Sequence, residues 1–320
     1  MVSGRVVHTT LSSRAVAGFA TEFFNFAVPP RVRLQNRGLN DVYEIIGPSR
    51  FFLRIGRQDR HGLANAETEA TALMQAKASG APVAVAERGR DGRFAQRLVT
   101  PEGERAVLLF EAAAGVEPQE SPEHAHAQGV ALARIHDVAF DAGHLRRLDA
   151  ESLIRSPIER ALAELQERPQ LASELERVAE GTIRHLERLQ GHLTLGFCHG
   201  DFHGYNATID GGTATVFDFD DGGFGWIAYD LATFLWARLL VESRRPMWRH
   251  FVAGYRSCRT LAPADWQALE ALVIARDLWF IGLSAEGAPH WGRHWFGSSG
   301  IKDRIQSLAA RFDRMCGRFV

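Results

Sequence analysis

A chain of 320 residues, 46% of them hydrophobic and with a formal net charge of −1, can bury a large core and divide into two domains. Near-neutral charge gives no general case for a nucleic-acid partner, and Cys198, Cys258 and Cys316, without C-x-x-C spacing, suggest neither a disulfide framework nor a zinc ribbon. No apolar run approaches the roughly 18 residues a bilayer span needs, and no basic segment followed by an apolar stretch resembles a leader, so a cytoplasmic protein without a membrane partner is expected. The basic charge is almost entirely arginine, the lysines being Lys77 and Lys302.

In chain order, the first predicted element is an amphipathic helix over about 12–26, with Ser12 or Ser13 as N-cap and Val16, Phe19, Phe23 and Phe24 on one face. Strand patterns follow over 32–35, 42–46 and 51–55, with a Gly47-Pro48-Ser49 turn, and predict an antiparallel meander. An Ala-rich helix over 64–78 stops at Gly80, after which strands are expected over 83–86, 94–99 and 106–110 around Asp91-Gly92 and Glu102-Gly103 turns. Beyond Gly115 the pattern turns helical over 123–138, 154–167 and 171–189. Short strand pieces over 195–198, 207–209 and 213–217 bracket a charged motif, and helices return from Tyr229. The expected fold class is α+β, with an antiparallel sheet plus one helix first and a mostly helical domain second.

The charged motif reads Cys198-His199-Gly200-Asp201-Phe202-His203-Gly204-Tyr205-Asn206, followed by Val216-Phe217-Asp218-Phe219-Asp220. Phosphoryl transfer from Mg·ATP needs a carboxylate beside the attacking hydroxyl, with an amide and a second carboxylate on the metals. H-x-D-x-x-x-x-N followed by D-F-x supplies these groups in that order. A polar turn between strands is the competing explanation, but it demands neither Asn206 five residues after Asp201 nor a carboxylate ending a Val-Phe strand. A zinc site built on Cys198, His199 and His203 lacks a third consistent ligand.

These segments, together with Tyr229-Asp230-Leu231-Ala232 and Leu132-Ala133-Arg134-Ile135-His136, resemble the aminoglycoside phosphotransferase and choline kinase superfamily. The layout looks most like its stress-response kinase A and homoserine-kinase-like members. The resemblance implies a protein-kinase-like two-lobe fold: an N-terminal nucleotide-binding lobe over 1–110, a hinge over 111–115, and a helical catalytic and acceptor-binding lobe over 116–320. It implies Asp201 as catalytic carboxylate, Asn206 and Asp218 as Mg²⁺ ligands, and structural roles for His199 and Asp230. ATP and Mg²⁺ are the implied cofactors.

In the first lobe, Gly38 and Asn40 lie where the family has a phosphate-covering hairpin, although an ordinary hairpin loop looks the same. The Lys that the third strand carries in protein kinases is replaced here by Arg54, with Glu69 as its implied partner and Glu67 as the alternative. Phe110, Glu111 and Ala112 are the implied adenine contacts, by position.

The acceptor is expected to bind to the later helices. From Val241 to Val320 there are 12 Arg and Lys against 7 Asp and Glu, including a cluster of Arg244, Arg245, Arg249, Arg256 and Arg259. That balance disfavours a polycationic acceptor, although solvated helix faces would look the same. Asp220, Asp221, Trp226 and Trp279 are the candidate acceptor contacts; Trp236, Trp291 and Trp295 could wall the same pocket, and core packing is the commoner use of such rings. The expected activity is transfer of the γ-phosphate of Mg·ATP to a small-molecule hydroxyl by a monomer or homodimer. The alternatives are a Ser/Thr protein kinase resembling stress-response kinase A, an aminoglycoside-type resistance enzyme, and a non-catalytic nucleotide-binding module.

Overall fold

A computed structural model describes residues 6–47, 49–58, 60, 62–140, 142–241 and 245–317. In chain order its elements are α1 (Ser13–Phe23), β1 (Arg31–Arg37), β2 (Asp41–Ile46), β3 (Arg50–Ile55), α2 (Leu63–Ala78), β4 (Gln96–Thr100) and β5 (Gly103–Glu111). Next come α3 (Pro122–His136), β6 (Arg147–Leu148), a π-helical turn (Glu151–Arg155) leading into α4 (Ser156–Glu164), and α5 (Pro169–Leu189). Then follow β7 (Leu195–Cys198), β8 (Ala207–Asp210), β9 (Thr213–Val216), β10 (Gly223–Trp226), α6 (Ala228–Leu239) and α7 (Met247–Cys258). The chain closes with α8 (Pro263–Glu286), α9 (Ala288–Trp291), α10 (His294–Gly297) and α11 (Ser299–Gly317). These elements form two compact units: Met1–Glu117 with Ala207–Asp220, and Pro118–Asn206 with Asp221–Val320.

The first unit is built on an antiparallel five-stranded sheet in the order β1-β2-β3-β5-β4. Period-2 alternation gives the sheet two apolar faces. Tyr43, Ile45, Leu53, Ile55, Val107 and Leu109 pack with Val16, Ala20 and Phe24 from α1 and its C-terminal end. Leu108 and Ala106 pack with Ala66 and Ala70 of α2, joined by Phe110. Arg54 lies between Leu53 and Ile55 in β3, so the same alternation turns it to the α2 face. On β1, Arg31, Arg33 and Arg37 keep an exposed edge strand charged, which disfavours edge-to-edge pairing.

The hairpin of β8 and β9 belongs to this unit, whereas the sequence assigned everything from 116 onward to the second lobe. Its backbone explains why: Ile209 and Val116 exchange N–H···O bonds of 2.8 and 3.0 Å, and Val216 accepts from Ala84 and donates to Pro82. The strand expected over 83–86 is reduced to isolated bridges, Val83 to Val216 and Ala86 to Phe110. Pro82 and a run of small residues there offer no extended ladder.

In the second unit α3 packs on α7, and α8 lies against α4, α5 and α6. Residues Leu272 to Leu278 of α8, apart from Asp277, are buried, as expected of a helix with no solvent face along this stretch. A three-stranded sheet, β6-β10-β7, was not anticipated from the sequence; Gly-rich Gly223–Trp226 carries little strand signal but pairs antiparallel with β7.

Candidate active site

The candidate residues fall into two groups, one in each unit, linked by the chain at residues 206–207 and 220–221. In the second unit β7 delivers the loop that begins at His199. Gly200 has φ +81°, and a Cβ there would lie 2.0 Å from the Asp221 carbonyl oxygen, so the loop requires glycine at this point. Buried Asp230, at the start of α6, accepts hydrogen bonds from the backbone N–H of His199 (2.6 Å) and Gly200 (2.8 Å) and pairs with His136 Nε2 at 3.1 Å. His136, in turn, touches the Tyr255 hydroxyl, so the end of α3, α6 and α7 all hold this turn.

The same loop then presents its chemistry. His199 Nδ1 accepts from the Asp201 N–H. Asn206 Nδ2 donates to the Asp201 carbonyl at 3.1 Å, which leaves its amide oxygen for another partner. Asp201 Oδ1 accepts from Arg276 Nη2, while Oδ2 lies 3.7 Å from His203 Nε2. His203 Nδ1 accepts from the Tyr205 N–H, which puts the ring proton on Nε2. Burial lowers the His203 pKa and Asp201 opposes that only in part, so the ring is neutral near pH 7. Arg238 donates to the His203 carbonyl and stacks on Phe234, and Gln128 donates to the Gly204 carbonyl.

In the first unit β9 runs into Phe217 and Asp218. Asp218 has φ +65°, the only non-glycine positive φ among the described residues, and such strain concentrates at functional turns. Its side chain is 43% exposed, and Oδ1 accepts from Arg54 Nη1 at 3.2 Å. Arg54 Nη2 donates to Glu69 Oε2 at 2.5 Å. Burial works against the Arg54 cation, but the carboxylates of Glu69, Asp220 and Asp218 more than offset it, so its pKa is raised. Glu67 points elsewhere, accepting from the backbone N–H of Phe94 and Ala95. Gly38 and Asn40 form the loop between β1 and β2. Asn40 Nδ2 donates to Asp220 Oδ2 at 2.8 Å, and Arg60 lies 3.8 Å from the same oxygen.

Phe110 and Glu111 end β5, and the Arg54 guanidinium lies 5.4 Å from the Phe110 ring centroid. The Ala112 N–H is taken by the Arg50 carbonyl at 2.9 Å. By the alternation of an antiparallel ladder, the backbone groups facing away from β3 are those of Glu111.

Each of the four candidate acceptor contacts has neighbours within its own unit. Asp220 is engaged by Asn40 in the first unit. Asp221, in the second, is 2% exposed and faces Arg146 at 3.6 Å. Trp226 is a buried residue of β10, and the Trp279 ring carries the Arg276 guanidinium 4.2 Å from its centroid. Trp236 likewise lies under Arg276 and Arg304 and donates to Asp277, so these two rings already serve the protein's own cations. Trp295 packs on Phe280 and Phe296, and Trp291 is 45% exposed. In the arginine cluster, Arg244 lies outside the described residues, Arg245, Arg249 and Arg256 are exposed, and Arg259 binds Asp137 and the His136 carbonyl. The sequence did not single out Arg276 or Arg238. An arginine inside the run Leu272-Val273-Ile274-Ala275-Arg276 was the available signal, because a cation there must have a buried partner.

His136, Cys198 and Asp230 bring ligand-type atoms within 4.8 Å of one another. Burial, followed by Asp230, raises the Cys198 thiol well above its ordinary pKa, and its sulfur contacts the Gly196 carbonyl. A protonated thiol and a histidine with both ring nitrogens engaged make a hydrogen-bonded support for the loop, a poor metal donor set.

The phosphotransferase enzyme family matches residues 32–272, and the chain belongs to that family, within the aminoglycoside phosphotransferase and choline kinase superfamily. It is therefore a phosphotransferase acting on a hydroxyl group. An uncharacterized protein of Deinococcus radiodurans is 34% identical over 299 residues, covering 91% of this chain and 87% of its own. Among solved structures, a microcompartment-associated aminopropanol kinase is 26% identical with a TM-score of 0.72, covering 93% of this chain and 94% of its own. An amicoumacin kinase in complex with AMP-PNP and Ca²⁺ shares the fold at 18% identity and a TM-score of 0.69, covering 95% and 94%.

Proposed function

We propose that the protein moves the γ-phosphate of Mg·ATP to the hydroxyl of a small, neutral or singly charged acceptor such as an amino alcohol. The observation that carries this is the Asp201 carboxylate, held on a pinned loop with Oδ1 engaged by Arg276 and Oδ2 left to accept a proton. Asp201 then takes the acceptor's hydroxyl proton as its oxygen attacks phosphorus. The Asn206 amide oxygen and the half-exposed Asp218 carboxylate are hard oxygen donors of the kind Mg²⁺ prefers. A bound metal would neutralise the β- and γ-phosphate charge. Nucleotide and divalent-cation use are supported by the AMP-PNP and Ca²⁺ held by the amicoumacin kinase. Arg54, fixed by Glu69, anchors phosphate; the loop of Gly38 and Asn40 covers it; adenine meets the backbone of 110–112, chiefly Glu111. The first unit thus serves the nucleotide and the second the acceptor. Among the described residues no helix is long and apolar enough to cross a membrane, in keeping with work on ATP in the cytoplasm.

Charge supports the acceptor class. Near Asp201 in the second unit three carboxylates each have an arginine, Asp201 with Arg276, Asp221 with Arg146 and Glu120 with Arg238, and buried Asp230 is met by His136 and two backbone N–H groups. Compensated carboxylates exert little pull on a polycation, and the aminopropanol kinase likeness agrees with a monoamine. The test is ADP release from Mg·ATP with 1-amino-2-propanol, ethanolamine, homoserine, spectinomycin and casein as acceptors. Turnover is expected with a small hydroxyl compound, and Asp201→Asn is expected to lower it by about 10²–10⁴-fold. Turnover unchanged in Asp201→Asn would refute the mechanism, and transfer to casein alone would replace it with a protein-kinase reading.

A further inference from the structure

Arg276 sits in the middle of α8, 3% exposed, in a stretch that apart from Asp277, which is taken by Arg304 and Trp236, is given to Leu272, Val273, Ile274, Ala275, Leu278 and Trp279. An arginine buried among such neighbours is strongly disfavoured unless its charge is met, so its partners define its purpose. Nη2 donates to Asp201 Oδ1 and Nη1 to the Gly200 carbonyl at 3.3 Å. The guanidinium plane is packed over Trp279, with Trp236 5.2 Å away. It therefore has a fixed position: both of these hydrogen bonds go to the loop bearing Asp201, with Tyr229 and Asp221 as its further polar neighbours.

The loop itself offers no permanent cation. At the position two residues after Asp201, where protein kinases carry lysine, this chain has His203, whose ring is neutral near pH 7. At the Asp201 carboxylate the permanent positive charge comes instead from a helix more than seventy residues later in the chain. By engaging only Oδ1, it fixes the carboxylate plane and leaves Oδ2 as the proton acceptor.

Building on the phosphotransfer role of Asp201, we propose that Arg276 is a positioning residue for the reaction, locking the Asp201 carboxylate in one rotamer and supplying the permanent cation beside that carboxylate. It acts through Asp201 and does not itself contact the acceptor or the nucleotide.

This makes the two residues one unit in kinetics, and residues that act as a unit have strongly non-additive effects. The experiment measures ADP release from Mg·ATP, with 1-amino-2-propanol and with water alone as acceptor, for Arg276→Met and Arg276→Lys in the native and Asp201→Asn backgrounds. In the native background Arg276→Met is expected to lower kcat by about 30-fold or more while the KM for ATP stays within about twofold. Arg276→Lys keeps the charge but loses the planar fork that reaches both Asp201 and the Gly200 carbonyl, and is expected to recover only part of that loss. In the Asp201→Asn background, Arg276→Met is expected to cost nothing further. An equal fold-loss in both backgrounds would overturn the proposal, as would a native-like kcat in Arg276→Met. Because a buried cation also supports the fold, melting is followed in parallel. If Arg276→Met does not fold, Arg276→Lys decides through the same cycle: a coupling lost with Asp201 supports the proposal, and an additive loss overturns it. Full activity of Asp201→Asn would instead bring down the underlying phosphotransfer mechanism, so the two failures are distinguishable.

Discussion

Glu69→Ala tests the buried charge arrangement of the first unit most directly. The Arg54 and Glu69 side chains are 9% and 12% exposed and meet at 2.5 Å. Removing one partner of such a pair costs about 3–5 kcal/mol when the other charge is left uncompensated. Arg54 keeps Asp218 at 3.2 Å, so about 2–3 kcal/mol is expected here. For a chain of this size that corresponds to a fall in Tm of roughly 5 °C. The second consequence concerns binding. Without Glu69, Arg54 is left to the carboxylates of Asp218 and Asp220, and a cation drawn toward them is lost to phosphate. A roughly tenfold weaker nucleotide Kd is expected, equivalent to about 1.4 kcal/mol. Calorimetric melting without nucleotide and titration with a fluorescent ATP analogue read the two effects separately. Glu67→Ala is the control: it removes the acceptor for the Phe94 and Ala95 N–H groups and should destabilise the fold without changing nucleotide affinity. The reasoning fails if Glu69→Ala melts and binds like the native protein, or if Glu67→Ala is the variant that loses nucleotide.

Two further outcomes concern stability. Burial pushes the Glu102 carboxyl up, but hydrogen bonds from the Thr9 hydroxyl and N–H outweigh it and hold the pKa at about 2, below the ordinary 4.5. A depressed carboxylate contributes stability above its unfolded pKa and loses it as pH falls from about 4.5 toward 2. The contribution is at most about 3 kcal/mol. Glu102→Gln should therefore be less stable than the native protein at pH 7, and the difference should close as denaturant midpoints are measured down that acid range; a constant gap would contradict this. Gly200→Ala places a Cβ 2.0 Å from the Asp221 carbonyl oxygen at a positive φ, so it should lose more than about 3 kcal/mol or fail to accumulate folded, and a native-like melt would show that the loop can relax.

Much of this was legible in the sequence because the decisive signals are local. Asp201, Asn206 and Asp218 are fixed by short spacings, and the sheet of the first unit follows from alternation and turns. What could not be read depends on contacts distant in sequence. Glu67 and Glu69 both lie in the first half of α2, and only the orientation of the helix turns Glu69 to Arg54. Asp220 and Asp221 are neighbours in sequence, yet one is held by Asn40 and the other by Arg146. The tryptophans looked like walls for a ligand because a sequence cannot show that Arg276 and Arg304 already cover Trp236 and Trp279. Strand β10 was missed because its pairing partners, 147–148 and 195–198, supply what Gly223-Phe224-Gly225-Trp226 lacks in propensity.

The hairpin of β8 and β9 also sets a schedule for synthesis. The first unit ends its first segment at Glu117 but receives its last two strands, and Asp218 with them, only when residues 207–220 emerge. At about 5–20 residues per second, the growing chain spends several seconds with the rim at Pro82 to Ala84 and Val116 unpaired while residues 118–206 are translated. A ribosome-tethered chain stopped at residue 117 is expected to leave that backbone accessible to a protease, and one extended far enough to expose residue 220 should protect it. The element that carries Asp218 is thus also the one that finishes the fold of the first unit.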